Sequence, residues 1–117
     1  MATTLSMSGT VQRADGVSIV DQLSLSPTRS VTEDVAYTVV IAASGNHSVA
    51  FGPVSPASFV VIYATAQISA TFTNLAGTSQ VIKADHFILS NADITGISLT
   101  NPSGAAAVTV RIILGGA

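Results

Sequence analysis

Titratable side chains are scarce in this 117-residue chain: two histidines, six carboxylates, four cations and no cysteine. A metal centre needs three or four ligands drawn from His, Cys and carboxylate. His86 follows Asp85 directly, and neighbouring residues of an extended strand point to opposite faces, so these two are not expected to meet. His47 falls in the turn-like stretch around Gly45-Asn46 and reads as exposed. Glu33-Asp34 is the one adjacent carboxylate pair. Glycosidase chemistry would need an apolar pocket to raise one of the two pKa values. The pair reads instead as a solvated loop, with one helical turn over 31–34 capped by Thr32. No Gly-x-Ser-x-Gly elbow is present, and Gly115-Gly116 is a tail after the last strand rather than a phosphate-binding loop. The expectation is a protein that is not an enzyme, with no cofactor and no metal.

Binding chemistry is equally sparse. Arg13, Arg29, Lys83 and Arg111 are dispersed, whereas phosphate recognition needs clustered cations, so nucleic acid is not an expected partner. The aromatic residues are Tyr37, Phe51, Phe59, Tyr63, Phe72 and Phe87. Tyr37 and Phe72 lie in phase with core positions. Phe51, ahead of Gly52-Pro53, is the best candidate for an exposed anchor, with Pro53 beside it. No stretch approaches the ~20 apolar residues of a membrane helix. The first residues have neither a basic segment nor an apolar run, so they do not read as a secretion signal.

The elements that must carry these residues are strands. Apolar residues recur with period two, most clearly at Val60, Ile62, Ala64, Ala66, Ile68, Ala70 and Phe72. So long a run predicts a bend or bulge near 65–67. Val108, Val110, Ile112 and Leu114 form a second inward set, and Val35, Tyr37, Val39 and Ile41 a third. Val17, Ile19, Leu23 and Leu25 share a parity that Asp21 interrupts. The parity slips between Ile94 and Ile97, with Gly96 as a natural bulge. Asp15-Gly16, Ser44-Gly45-Asn46, 52–56, 74–77, 91–93 and 101–104 supply the turns. This predicts a single all-β domain over 1–117, an antiparallel β-sandwich of jelly-roll type with about eight to ten strands, a small barrel being the alternative. Residues 1–11 read as an extended N-terminal arm, weakly alternating through Leu5, Met7 and Val11, that could add to a neighbour's sheet edge.

Only 9% of the chain is charged while 48% is hydrophobic, and about a quarter is Ser or Thr. A usual domain carries about 25% charge. A core of this size cannot hide so much apolar surface, and strand edges without charge invite pairing. The chain reads as a subunit completed by its neighbours: a homo-oligomer, trimer favoured over dimer.

In composition and strand pattern the chain resembles small β-sandwich structural proteins of tailed-bacteriophage virions. The stretch Ile94-Thr-Gly-Ile-Ser-Leu-Thr-Asn-Pro-Ser-Gly, followed by Ala107-Val-Thr-Val-Arg-Ile-Ile-Leu-Gly-Gly, carries that likeness. The resemblance implies a capsid decoration or cement protein on the virion surface, made in the host cytoplasm, whose partner besides itself is the major capsid protein. Leu5, Met7, Val11, Phe51 and Pro53 are the expected contact residues. The alternative is a receptor- or carbohydrate-binding module of a tail or fibre.

Overall fold

The computed structural model describes residues 3–14, 16 and 19–116. Among them there are nine strands and no helix: β1 (Thr3–Ser6), β2 (Gly9–Ala14), β3 (Ile19–Leu25), β4 (Thr28–Val31), β5 (Glu33–Ile41), β6 (Asn46–Ser48), β7 (Ala57–Asn74), β8 (Ser79–Thr100) and β9 (Val108–Gly116).

The first four strands form one hairpin. Thr3 faces Val31, Ser6 faces Thr28, Gly9 faces Leu25 and Arg13 faces Asp21, so a single register runs through both pairs. Met7 N–H donates to Pro27 O at 3.1 Å at the joint between them. The ladder is interrupted there because Pro27 has no N–H to return. Strand alternation puts Leu5, Met7, Val11, Leu23, Leu25, Pro27 and Val31 on one face, which they share with Thr3, Gly9 and Arg29, and an almost unbroken set of Ser, Thr and Gln on the other. At the root the apolar face is covered: a Cβ on Gly115 would meet Leu5 Cδ1, and both Val31 Cγ atoms at 3.1 Å. A side chain at this position would have to push Leu5 aside and tighten against Val31.

The remaining strands make one sheet in the order β5-β9-β7-β8-β6. Partner numbers on β8 fall as those on β7 rise (Val60 with Leu89, Tyr63 with His86), so this pair is antiparallel like the others. Drawn out straight, β7 would span ~56 Å, yet the longest dimension of the molecule is 46 Å. The strand bends at 64–67. Tyr63 pairs with His86 but Ile68 pairs with Ala84, so three extra residues bulge from β7. Before the bend β7 lies between β9 and β8, with Ile62 flanked by Ile112 and Phe87. Beyond it, β7 lies between the two ends of β8, with Ala70 flanked by Ile82 and Leu99. Ile94 pairs with both Ala57 and Asn74, near opposite ends of β7. The sheet is therefore curled until it is nearly closed. Its concave side holds the core: Val60, Ile62 and Ala64 from one half of β7, Ile68, Ala70 and Phe72 from the other, with Ile97, Leu99, Val108, Val110, Ile112 and Leu114. Ala66, in phase with this set by sequence, is exposed, because the bulge lifts it out.

Loops 42–45 and 101–107 meet where the neighbouring lanes turn. Asn101 is 2% exposed, the one buried polar residue among those described. Its Nδ2 donates to the carbonyls of Ile41 (3.2 Å), Ala42 (3.2 Å) and Ala106 (2.8 Å), and its Oδ1 accepts from Ser103 N–H at 3.1 Å. Backbone bonds Ser44 N–H to Ser103 O (2.8 Å) and Asn101 N–H to Gly45 O (2.9 Å) close the same corner.

Several local expectations are corrected. Residues 31–34 hold no helical turn; Thr32 N–H and Oγ1 both donate to Gly116 O, at 3.1 and 3.2 Å, which draws the backbone onto the sheet. Glu33 and Asp34 are not a loop but the start of β5, opposite Gly116 and Gly115. His47 is half-buried in β6, with Nε2 at 2.9 Å from Tyr37 Oη, which also accepts from Ala50 N–H at 2.9 Å. Of the set Val17, Ile19, Leu23 and Leu25, which shares one parity, Leu23 is exposed and Leu25 half-buried, and Val17 lies outside the described residues.

Two mutations test this packing. Val110 is fully buried and Thr109 exposed on the same strand. Val110→Asp should abolish folding by burying an unpaired charge, while Thr109→Asp should change stability by no more than ~0.5 kcal/mol. Asn101→Leu should cost roughly 2–3 kcal/mol by stranding the Ile41 carbonyl and its neighbours. Thermal unfolding of the three variants checks the order; equal losses for Val110→Asp and Thr109→Asp would mean the register is off by one residue.

Candidate interaction face

The convex side of the sheet is where side chains remain to be met. In the part built from β5, β9, β7 and β8, cross-strand partners line up in rows. One row is Ala36–Ile113–Val61–Ile88 and the next is Thr38–Arg111–Tyr63–His86. Val40 and Thr109 begin a third. Val40, Tyr63 and Ile88 are exposed, Val61 and Ile113 half-buried. Such cross-strand neighbours stand ~5 Å apart, so the first row is a continuous apolar strip.

The second row is polar and internally ordered. Arg111 Nη1 donates to Thr38 Oγ1 at 3.2 Å. The rings of Tyr63 and His86 have centroids 4.6 Å apart, inclined at 58°. His86 Nδ1 bonds Asp85 Oδ1 at 2.8 Å. This corrects the expectation that Asp85 and His86 face apart. The register jump beside Asp85 breaks the regular alternation there, so both side chains reach the same water. The hydrogen bond from His86 holds the Asp85 carboxyl below the usual carboxylate range. Both side chains are more than half exposed, so solvent screens their attraction. The effect of the contact is to orient the imidazole against Tyr63.

Among the described residues no group of three or more His, Cys, Asp or Glu is placed to hold a metal ion. A groove of about 290 Å³ between β4 and the start of β7 is lined by Ser30, Val31, Thr32, Pro56, Ser58 and Gly116, and none of these side chains titrates.

The residues singled out by sequence are dispersed. Leu5 and Met7 are half-buried at the hairpin root and joint, and Val11 is exposed further out on the same face. Residues 3–11 of the segment read as an extended arm form one side of this hairpin, paired with their own chain. Phe51 is half-buried and packs against the core, while Pro53 is exposed in the loop before β7. Sequence reasoning missed Val40, Ile88, Arg111 and Leu23 as surface-defining residues. The outward parity of Val61 and Tyr63 was the one available signal for the strip.

Compared with protein-family profiles, curated proteins and solved structures, the chain finds no match.

The Asp85–His86 contact makes a prediction of defined sign. A carboxyl whose folded pKa is depressed contributes stability above its unfolded pKa and loses it as pH falls through the lowered value. A carbon-detected NMR titration should place the Asp85 midpoint below the ordinary carboxylate range, and His86→Ala should return it there. An unchanged midpoint in that variant would show that the imidazole is not the cause.

Proposed function

We propose that this protein is a non-enzymatic virion structural protein that binds and stabilises a bacteriophage capsid shell through subunit–subunit contacts. The observation that carries the reading is the convex face itself. It is broad and apolar along Ile113–Val61–Ile88, with Val40 and Tyr63 beside it and Asp34, Asp85 and Arg111 around it, on a chain with only 9% charged residues. A surface of this kind suits extensive, lasting contact rather than turnover. The curled sheet, seen as two layers facing across the core, would then be the β-sandwich of jelly-roll type that the resemblance implies. The partners are further copies of the chain, a trimer favoured, and the major capsid protein, with the chain seated on the virion surface.

The second reading is a receptor- or carbohydrate-binding module of a tail or fibre. Tyr63 favours it, being an exposed ring with Arg111 and the Asp85–His86 pair as polar neighbours. A single inclined ring offers less stacking surface than the apolar strip offers to a protein.

A bridge that binds only the assembled shell stabilises it by mass action, by roughly 4 kcal/mol per site at a thousandfold excess over the dissociation constant. Particles carrying the protein should withstand heating and low salt that disrupt particles stripped of it. Ile88→Glu, at an exposed position, should leave the fold intact and weaken particle binding at least tenfold, as read by co-sedimentation. If stripped particles prove as robust as complete ones, the cement reading fails; retention of Tyr63-dependent binding on a glycan array would then favour the carbohydrate reading.

A further inference from the structure

One permanent cation stands in the two open rows of the convex face. Arg111 is exposed and lies on β9, an inner lane of the sheet. Thr38 and Tyr63 are its cross-strand neighbours. Thr109 and Ile113 stand before and after it on the same side of its own strand. Arg111 Nη1 donates to Thr38 Oγ1 at 3.2 Å, which carries the guanidinium from β9 toward β5. Thr38 in turn stands between Ala36 and Val40, the latter 63% exposed. A body resting on Val40 and on the apolar strip therefore covers the guanidinium as well.

Within the chain that charge has no counterion. Among the described residues the one ion pair is His86 with Asp85. Thr38 is a neutral acceptor and takes one of the several N–H donors that a guanidinium offers. The two carboxylates around the face are placed elsewhere. Asp34 is exposed on the edge strand β5, opposite Gly115, which lies beyond Ile113 from Arg111. Asp85 is bonded to His86 on β8, and β7 lies between β8 and β9. The next lane, β6, pairs with β8 only at 98–100, so Asp85 stands at a margin and is more than half exposed. Both carboxylates keep their water when the middle of the face is covered; Arg111 does not.

Burying a guanidinium without an opposite charge is strongly unfavourable. A purely apolar surface is thus a poor partner for this face, although most of the face is apolar. We propose that the shell surface which docks here presents a carboxylate to Arg111, with apolar side chains set against Ile113, Val61 and Ile88. This rests on the shell-binding reading above and specifies the partner's chemistry within the contact. The forked N–H groups of arginine match a carboxylate in geometry as well as in charge. Arg111 is then the residue that separates the right surface from other apolar ones, since a surface lacking the carboxylate leaves it unpaired.

The direction of one mutational effect decides whether the shell carries that carboxylate. Binding to purified capsid particles is measured by co-sedimentation for the native protein and for Arg111→Met, Arg111→Lys and Ile88→Glu. Both positions are exposed, so each variant should keep the circular dichroism and thermal transition of the native protein. Arg111→Met removes the charge and keeps an unbranched apolar stem. It should weaken binding at least tenfold, because the carboxylate of the shell is left buried and unpaired. Arg111→Lys should restore part of the loss, keeping the charge without the fork. If the shell presents no carboxylate, Arg111→Met relieves a desolvation cost and binds as well as the native protein or better. That result overturns the inference, and it leaves the shell reading standing when Ile88→Glu still loses binding. Equal binding by the native protein, Arg111→Met and Ile88→Glu overturns both, as does a native protein that does not bind particles. Acidic sugars that bind on a glycan array only when Arg111 is present, with particle binding unchanged in Arg111→Met, assign the residue to the carbohydrate reading and overturn the shell carboxylate.

Discussion

A strand of eighteen residues cannot stay straight inside a domain of this size, and the way β7 yields decides everything around it. The bulge at 64–67 lets its two halves run on without losing pairing. Each half keeps partners on both edges, and the residues between them, 65–67, which have no ladder partner, are exposed to solvent. The lanes beside β7 must turn at the same place. β8 turns at Asp85, and the loops 42–45 and 101–107 provide the turn for the outer lanes. The latter two are tied together by a buried amide, since Asn101 supplies donors to carbonyls that strand geometry leaves unpaired at a corner. A hydrophobic residue of the same size would fill the space and remove the donor from Ile41 and Ala106, leaving Ala42 only the N–H of Gly45.

The N-terminal hairpin obeys a different constraint. It adds nothing to the main core; it covers one end of the convex face through Leu5 and Val31 and then leaves the body. Apolar residues recur on one parity from Leu5 to Val11 and from Leu23 to Val31, yet only the root has something to lie on. In a chain with so few charges this is a consequential arrangement. Edges and faces of natural sheets are usually guarded by Lys, Glu or Pro. Here Thr and Ser occupy many exposed strand positions instead, giving a surface that stays hydrated without repelling its own kind.

The polar row on the convex face shows how a local irregularity creates surface chemistry. Were β8 regular through 84–87, Asp85 and His86 would diverge. The same bend that folds the sheet brings them into contact, and His86 in turn meets Tyr63 across the ladder. Fold and surface here have one cause.

Much of this was written into the chain locally. Period-two alternation marks β5, β7 and β9, Gly and Asn mark the turns at 44–46 and 74–77, and the excess length of one apolar run marks the bend at 65–67, while the turn expected at Asp15-Gly16 falls partly outside the described residues. The slip between Ile94 and Ile97 appears as a bulge, where Gly96 pairs with Thr73 and Ile94 with Asn74, leaving Thr95 without an opposite. These features depend on near neighbours, and residue type reports near neighbours well. What alternation cannot say is what lies above a face. Leu5 and Val11 have the same parity and the same chemistry, yet one rests on Gly115 and the other meets water. Ala66 is in phase with the core and outside it, and Asn101 reads as an ordinary turn residue until loop 42–45 arrives beside it. Parity alone told which side chains share a side of each strand; the long-range meeting of segments dozens of residues apart decided which of those sides would be buried.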